Sequence, residues 1–530
     1  MINSVKRILR TIRHLKLKQV RFQLFYRLRG KILKPQQLVG QMKSADTAAL
    51  ILQPSPVMGG SLYKADNRQF CFLNLEKTFA KEDIDWNFGE FGKLWTYNLN
   101  YFDFLSQSEL SENEGLTLMN HFASSFDKLV DGLEPYPISL RGINWIKFMT
   151  RHGCADQNLK ASLLRQYHIL SKSLEFHLLG NHLLENAFSL LFGAYYFRND
   201  TFYKKAERLL NEQLEEQLCA DGGHFERSPM YHQIILYRLL DSLNLIRNNP
   251  WKSGGLEALL EQKAESMLAW LSEITFSNGD VPMVKDAAFD IAPSSRTLAE
   301  YGALLGVKKL PVITLGESGY RKFDTGGLEC FCDVGGVAPA YQPGHAHADE
   351  LNFVLYADGN PVIVDPGVST YEATMDRFRE RSTEAHNCVT IEGANSSEVW
   401  SAFRVGRRSK VYIIEDSEVC TKASHNGYSR QGVTVLRSFS TVDDKIIIED
   451  ELRCKDDVRV ELNLHFHPGQ KLTISDNQIL TNKVSIQLSG YIDITSEKYK
   501  FADGYNRLVD APLVKLVPTA KSKIVFKNVS

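Results

Sequence analysis

The residues best suited to chemistry lie in four short segments rich in histidine, asparagine, tyrosine and carboxylates. They are residues 180–186, 221–232, 344–349 and 365–387. Amide and imidazole N–H groups can stabilise a developing negative charge, and a tyrosine hydroxyl can move a proton. Each segment also has a structural interpretation: Asn181 could cap a helix, and His182 and His232 could be buried, hydrogen-bonded histidines. Their combination in one chain favours a functional site.

The elements that would position these segments begin with a helical region from about 85 to 305. Apolar residues recur there at three- and four-residue spacing, which predicts helices. The predicted helices are near residues 116–131, 158–178, 182–198, 202–219, 229–247 and 255–274. Ser228 and Pro229 are typical of a helix start, with serine as the cap and proline at the first helical position. Short connections between helices of similar length predict antiparallel pairs, as in a bundle or an α/α toroid.

The character of the chain changes after about residue 320, where short β-rich runs separated by turn residues predict an antiparallel sandwich. The runs are 352–356, 361–364, 388–391, 410–414, 433–438, 445–449, 458–466 and 523–526. Residues 44–75 carry prolines and glycines and are predicted to be irregular. We therefore predict an N-terminal segment at 1–43, a helical domain at 44–315 and a sandwich domain at 316–530.

Composition narrows the class of protein. A chain of 530 residues is too long for one ordinary core, and an aromatic content of 11% argues against long disorder, because aromatic side chains are expected to be buried. A net charge of −1 gives no reason to expect a nucleic-acid partner. The eight cysteines are scattered, which favours reduced thiols. Cys330 and Cys332 are either a metal-binding pair or two buried thiols on one face of a strand.

The first 43 residues contain twelve Lys or Arg and no Asp or Glu. Apolar residues at helical spacing from Val5 to Leu15 predict a basic amphipathic helix. Such a helix could contact an anionic membrane surface, hold an acidic polymer, or pack on its own catalytic domain. Without a membrane-spanning run or a signal peptide, the expected location is the cytoplasm or the inner membrane face, with the periplasm less expected.

Several motifs together resemble the heparinase II/III family of polysaccharide lyases. They are residues 95–104, 141–145, 181–182, 228–232, and the stretch from His345 through 365–367 to Asn387. The resemblance covers most of the chain. It implies an α/α toroid followed by an antiparallel β-sandwich, which agrees with the periodicity described above.

The resemblance implies β-elimination beside a uronic acid, in which the C5 proton is removed and the C4-linked oxygen is expelled. Asn181 and His345 would contact the uronate carboxylate, with His182 alongside. Tyr231 would be the general base, the general acid, or both. A free tyrosine has a pKa near 10, so positive charge or a helix N-terminus would have to favour its phenolate. The substrate would be an acidic polysaccharide, within exopolysaccharide or capsule metabolism.

The resemblance also implies a structural divalent metal, zinc by its ligand types or else calcium, held by His347, Asp365 and His386. Residues proposed to bind the sugar chain are Arg141, Asn144, Trp145, Glu226 and Arg379, although Trp145 could equally lie in the core. One departure from some relatives is that no tyrosine lies between Tyr371 and His386. This favours a single-tyrosine mechanism or a role for Tyr371.

Two other functions fit the same residues. A non-catalytic glycan-binding protein of a polysaccharide assembly system would suit a chain that is not exported. A metal-dependent glycan hydrolase or deacetylase would use His347, Asp365 and His386 as its reaction centre.

Overall fold

The computed structural model describes residues 2–80, 83–252, 254–308, 311, 313–454 and 458–529. Eleven of the twelve α-helices in these residues precede residue 305. The helices are α1 (Ile2–Ile12), α2 (Leu17–Gly30), α3 (Lys93–Tyr101), α4 (Glu112–Ser125), α5 (Pro135–Arg151), α6 (Gln157–Ser171), α7 (Gly180–Phe197), α8 (Asp200–Gln217), α9 (Pro229–Asn248), α10 (Leu256–Ile274), α11 (Ser295–Leu304) and α12 (Met375–Glu380). Within the described ranges, no helix combines the length and the apolarity needed to cross a membrane.

The helical region forms the α/α toroid that the sequence predicts. Helix α7 is apolar on all sides and buried, because it packs against α5, α8 and α9. Helix α9 begins where the sequence predicts. The Ser228 side chain accepts a hydrogen bond from the Tyr231 backbone N–H, and Pro229 occupies the first turn. This start fixes the first turn of α9, which carries Tyr231. The first turn of α7 carries Asn181.

One predicted irregular stretch is ordered. Within residues 44–75, the structure has two strands and the start of a third, joined in an antiparallel sheet of β1 (Ser61–Lys64), β2 (Gln69–Phe72) and β3 (Leu75–Thr78). Phe70 and Phe72 point into the core of the helical domain and pack on Phe104. The prediction of irregular structure was wrong here because the strands are only four residues long, too short to show a clear alternation.

Among the described residues, the sandwich domain contains sixteen further strands. They are β4 (Tyr320–Thr325), β5 (Leu328–Asp333), β6 (Phe353–Ala357), β7 (Asn360–Ile363), β8 (Val389–Ile391), β9 (Val399–Trp400), β10 (Arg404–Val405), β11 (Val411–Asp416), β12 (Cys420–His425), β13 (Thr434–Val442), β14 (Lys445–Arg453), β15 (Val460–His465), β16 (Thr473–Ser475), β17 (Gln478–Leu480), β18 (Val484–Ala502) and β19 (Leu508–Asn528). All their pairings are antiparallel.

Two sheets make the layers of the sandwich. One has the order β4-β5-β6-β7, and the larger runs β11-β12-β13-β14-β19-β18-β17-β16, with β15 joining β19 to β8. Phe353 of the small sheet packs between Phe439 and Phe526 of the large one, with ring centroids 6.3 and 6.0 Å away. Cys330 and Cys332 lie in this same core as buried thiols. The loop between β5 and β6 carries His345 and His347, and the segment after β7 carries Tyr371. These residues reach the toroid, where the His345 ring stacks on that of Tyr231.

Candidate active site between toroid and sandwich

Asn181 is held at the start of α7 by a buried carboxylate. Its backbone N–H and its side-chain Nδ2 both donate to Glu226, each at 2.9 Å. Gly180 makes this approach possible: it has a φ of +58°, and a Cβ at this position would lie 2.5 Å from Oε1 of Glu226. Glu226, predicted to bind substrate, therefore lies in the site but positions Asn181.

His345 and Tyr231 come together from the two domains. Their rings stack with centroids 4.0 Å apart, and Nε2 of His345 lies 3.5 Å from Nδ2 of Asn181. The Tyr231 hydroxyl is 3.1 Å from that of Tyr371, which follows strand β7. Three residues predicted to share a site are thus in contact, and Tyr371 joins them through its hydroxyl.

Asp286 anchors the histidines of this site. Nδ1 of His345 and Nε2 of His347 each lie 2.8 Å from one of its oxygens, and Arg377 contacts both oxygens at 2.5 and 2.7 Å. Although burial opposes ionisation, Arg377 and the two imidazoles hold the pKa of Asp286 well below its ordinary value. An ionised carboxylate only accepts hydrogen bonds, so His345 carries a proton on Nδ1 and turns Nε2 toward Asn181.

His182 lies beside this cluster with a carboxylate partner of its own. Its Nδ1 is 3.1 Å from Oε1 of Glu175, and its ring packs 4.6 Å from that of Tyr136. Burial lowers the pKa of His182, but the carboxylates of Glu175, Glu226 and Glu185 together outweigh burial and the net shift is upward. The imidazolium form of His182 is therefore favoured next to Asn181.

The surroundings of Tyr231 favour its protonated form, not the phenolate that a base would need. Burial, together with the nearby Tyr505, raises the pKa of Tyr231 well above 10, although the hydrogen bond with Tyr371 acts in the opposite direction. The guanidinium of Arg377 is already bound to Asp286 and does not offset burial. Tyr231 is thus protonated in the free protein at neutral pH.

A second cluster behind His345 has the composition of a metal site. One side-chain ligand atom each from His347, Asp349 and His386 lies within 4.8 Å of the others, and all three residues are buried. Nδ1 of His347, Oδ2 of Asp349 and Nε2 of His386 have no hydrogen-bond partner within the described part of the chain. Burial lowers the pKa of His347 to about 4, which favours the neutral form that binds metals.

The acidic member of this cluster is Asp349, whereas the sequence predicts Asp365 as the acidic metal ligand. Oδ2 of Asp365 lies 2.8 Å from Nδ1 of His386 and also accepts a hydrogen bond from Asn352 at 2.7 Å. A carboxylate bound to the outer nitrogen of a metal-ligating histidine orients that ligand rather than binding the metal. Asp365 thus lies beside His386, as the sequence predicts, while the carboxylate grouped with the two histidines is that of Asp349. Asp349 is also paired with the buried Lys285, so only its second oxygen is free.

Three of the predicted sugar-binding residues lie in the helical domain and serve its packing. Arg141 is 0% exposed and donates to Gln166, to the Asn100 carbonyl and to the Gly132 carbonyl. Trp145 is also 0% exposed, and its ring packs against Phe102. Arg141 does not reach a sugar, because its donors are occupied inside the domain, and the alternative that Trp145 lies in the core is confirmed.

Asn144 also differs from the prediction, whereas sugar binding by Arg379 stays a prediction. Asn144 is 8% exposed, and its Nδ2 donates to the Tyr101 carbonyl and to Asp103. Arg379 is exposed on α12 and pairs with Asp376 at 2.9 Å. The same helix turns Arg377, two residues earlier, toward Asp286. The arginine of α12 that supports the histidines is therefore Arg377, because it binds the Asp286 carboxylate that contacts them.

Two residues of the site, Asp286 and Glu175, were not singled out from the sequence, and Arg377 lies within segment 365–387 without having been predicted to hold a carboxylate of the protein. Asp286 follows Lys285 in the otherwise apolar stretch 281–288, and two adjacent opposite charges there are the signal that could have identified it. Glu175 and Arg377 have no comparable pattern, since each looks like an ordinary surface charge in the sequence.

Two family descriptions match this chain. "Heparinase II/III N-terminus" matches residues 143–302, and "Heparinase II/III-like, C-terminal" matches residues 308–512. A curated relative, a heparin-sulfate lyase of Pedobacter heparinus, is 27% identical over 270 residues, which is 44% of this chain. The match spans only 39% of that relative.

Solved structures share the fold over a longer span. A heparinase III crystal structure aligns with a TM-score of 0.67 at 12% identity, covering 97% of this chain and 92% of that one. A mutant heparan sulfate lyase from Pedobacter heparinus aligns with a TM-score of 0.58 at 16% identity, covering 86% and 80%. The two matched regions include Asn181, Tyr231, His345 and the histidine cluster, and the chain belongs to the heparinase II/III family.

Proposed function

We propose that this protein is a polysaccharide lyase that cleaves a uronate-containing glycan by β-elimination. The observation that carries the proposal is the convergence of Asn181, His345 and Tyr231. Nδ2 of Asn181 and Nε2 of His345 lie 3.5 Å apart, a spacing that lets both groups donate to one carboxylate when His345 carries a proton on Nε2 as well as on Nδ1. That carboxylate would gain negative charge as the C5 proton leaves, and His182 adds positive charge nearby.

Tyr231 is proposed to move the proton. Its phenolate oxygen takes the proton from C5, the electron pair of the C–H bond forms the C4–C5 double bond, and the C4–O bond breaks. The leaving oxygen then receives the proton from the Tyr231 hydroxyl, so one tyrosine serves as base and acid. Because burial raises the pKa of Tyr231, only a small phenolate fraction is present at neutral pH. The hydrogen bond with Tyr371 favours that fraction.

We further propose that His347, Asp349 and His386 bind a structural divalent metal. Two imidazoles and a carboxylate favour zinc over calcium, which prefers oxygen ligands. When bound, the ion would join the loop before β6 to the loop before β8. Asp286 then links this cluster to the reaction centre, because it contacts both His347 and His345.

The proposed substrate is an acidic polysaccharide of exopolysaccharide or capsule metabolism. The two Pedobacter heparinus relatives are a heparin-sulfate lyase and a heparan sulfate lyase, and both of these glycans are acidic polysaccharides. The site supports the class of substrate through groups that would neutralise a carboxylate.

Product mass distinguishes the proposal from its alternatives. Elimination splits a chain without adding water, so the product masses sum to the substrate mass, whereas a hydrolase adds one water at each cut. The assay uses uronate oligosaccharides of defined length and mass spectrometry. Products carrying an added water would support a metal-dependent hydrolase instead. Intact oligosaccharide that nevertheless binds the folded protein would support the glycan-binding alternative.

A further inference from the structure

The first helix of the chain is docked with its polar side inward. On α1, Arg10 pairs with Glu398 at 3.1 Å, and the guanidinium of Arg7 lies 4.9 Å from the ring centroid of Trp400. The indole N–H of Trp400 donates to the Thr11 hydroxyl at 3.1 Å. These contacts seat α1 on the sandwich domain, next to the short hairpin formed by β9 and β10.

The apolar stripe of α1 consequently faces away from the protein. Val5, Ile8, Leu9 and Ile12 recur at three- and four-residue spacing, and Leu9 is 61% exposed. An amphipathic helix on a protein surface ordinarily buries its apolar stripe. Here the polar face is bound and the apolar face is exposed, an arrangement that marks a surface for interaction with a membrane or another protein.

Helix α2 repeats this arrangement on the toroid. Gln19 is buried and donates to the Leu178 carbonyl, Phe22 packs on Phe176, and the Tyr26 hydroxyl donates to the Leu174 carbonyl at 2.6 Å. The opposite side carries Leu17, Leu24 and Leu28, which are exposed. Both helices therefore present leucine- and isoleucine-rich stripes to the outside.

Basic residues flank these stripes. Lys or Arg side chains are exposed at Lys6, Arg13, Lys18, Arg21, Arg27, Lys31 and Lys34. None of the seven makes an ion pair within the described part of the chain, and no Asp or Glu occurs before Asp46. Lys18 turns toward the docked side, since its Nζ lies 4.4 Å from the ring centroid of Phe176. We define the amphipathic face as the other six cations together with the exposed apolar residues of α1 and α2.

We propose that the amphipathic face binds the surface of an anionic lipid bilayer. Apolar side chains flanked by uncompensated cations suit the boundary between acyl chains and anionic headgroups. A second copy of the chain fits less well, because two such faces would bring like charges together. An acidic polysaccharide would neutralise the cations but would leave the apolar stripes exposed to water.

Vesicle sedimentation with the full-length protein tests the proposal. The native chain should sediment with vesicles containing phosphatidylglycerol and bind at least about tenfold more weakly to pure phosphatidylcholine, because the charge attraction is then lost. Reversing four exposed cations, in K6E/R13E/R21E/R27E, should weaken binding to anionic vesicles to a similar degree. Replacing apolar residues, in L9N/L24N/L28N, should weaken it without changing the net charge.

Matched controls separate membrane binding from folding. The variant V419N/V442N/I492N changes three exposed apolar residues of the sandwich and should bind like the native chain. The Tm of every variant should stay close to that of the native chain, because the substituted side chains are exposed. Equal vesicle binding by native and L9N/L24N/L28N would overturn the proposal. So would no binding to anionic vesicles, or a dimer in sedimentation velocity that the leucine substitutions abolish.

Discussion

Asp286 accepts a hydrogen bond from Nδ1 of His345 at 2.8 Å, and this contact fixes which nitrogen of the histidine faces Asn181. The same carboxylate binds His347 and the guanidinium of Arg377. A single buried residue from the loop after α10 thus orients the proposed carboxylate-binding histidine and one proposed metal ligand.

Replacing Asp286 with Asn should lower kcat/KM and stability together. The amide would leave the buried Arg377 without a counter-charge, a change that costs about 3–5 kcal/mol in comparable buried pairs. Activity per folded molecule should also fall, because His345 loses its fixed orientation. Thermal unfolding and steady-state kinetics measure the two effects.

The matched control for that variant is Asp450→Asn. Asp450 forms a buried pair with Arg437 in the sandwich, with contacts of 2.8 and 2.9 Å. Asp450→Asn should lower the free energy of unfolding by a similar amount and leave kcat/KM of the folded fraction near native. If both variants lost activity to the same degree, the positioning role of Asp286 would be refuted.

The pH dependence of activity tests the role of Tyr231 as a base. Its pKa is raised by burial, so the phenolate fraction increases about tenfold per pH unit below that pKa. We therefore expect kcat/KM to rise with pH from neutral into the alkaline range. The groups that face Tyr231 and contribute to this pKa are Tyr371, Tyr505, Asp286 and Glu226. An activity that falls as pH rises through this range would mean that Tyr231 acts only as an acid.

Tyr371→Phe should reduce activity less than Tyr231→Phe. Removing the Tyr371 hydroxyl takes away the hydrogen bond that favours the Tyr231 phenolate, and burial then raises the pKa of Tyr231 further. The expected result is a pH profile displaced to higher pH, with activity recovered at alkaline pH. A profile of unchanged position would exclude this role for Tyr371.

The helices were more predictable from the sequence than the site. Helices α7 to α10 follow from apolar spacing, since each buries a long stripe, and the start of α9 follows from Ser228 and Pro229. Strand β18 was not predicted, because it is largely exposed and lacks a clean alternation. Arg141 looked like a sugar ligand because a buried arginine and a surface arginine have the same sequence signature. Asp286 was missed because its partners lie 59 to 91 residues away along the chain.

Metal binding should stabilise the protein and depend on Asp349 more than on Asp365. A ligand that binds only the folded state at 100 times its Kd adds about 2.7 kcal/mol to the free energy of unfolding. Zinc should therefore raise Tm, and a chelator should lower it. Asp349→Asn should abolish the zinc response, whereas Asp365→Asn should weaken zinc affinity about 10- to 100-fold by releasing His386. If Asp365→Asn abolished the zinc response and Asp349→Asn only weakened zinc affinity, Asp365 would be the direct ligand instead.

Gly180→Ala should disturb the site through Glu226. The added Cβ would lie 2.5 Å from Oε1 of Glu226, in a residue with a φ of +58°. Strain of this kind costs about 1–3 kcal/mol, and moving Glu226 would release Asn181. We expect a loss in kcat/KM larger than that caused by Gly153→Ala. Gly153 also has a positive φ, of +61°, but has open space around it.

The most direct test of the central claim is ultraviolet absorbance during incubation with a panel of uronate polysaccharides, comparing the native chain with Tyr231→Phe. Elimination creates a double bond conjugated to the uronate carboxylate, so absorbance should rise with the native chain on at least one polymer. Tyr231→Phe should abolish the rise while keeping the native Tm within a few degrees. Cleavage of a polymer without any rise in absorbance, or an equal rise with Tyr231→Phe, would contradict the proposed mechanism.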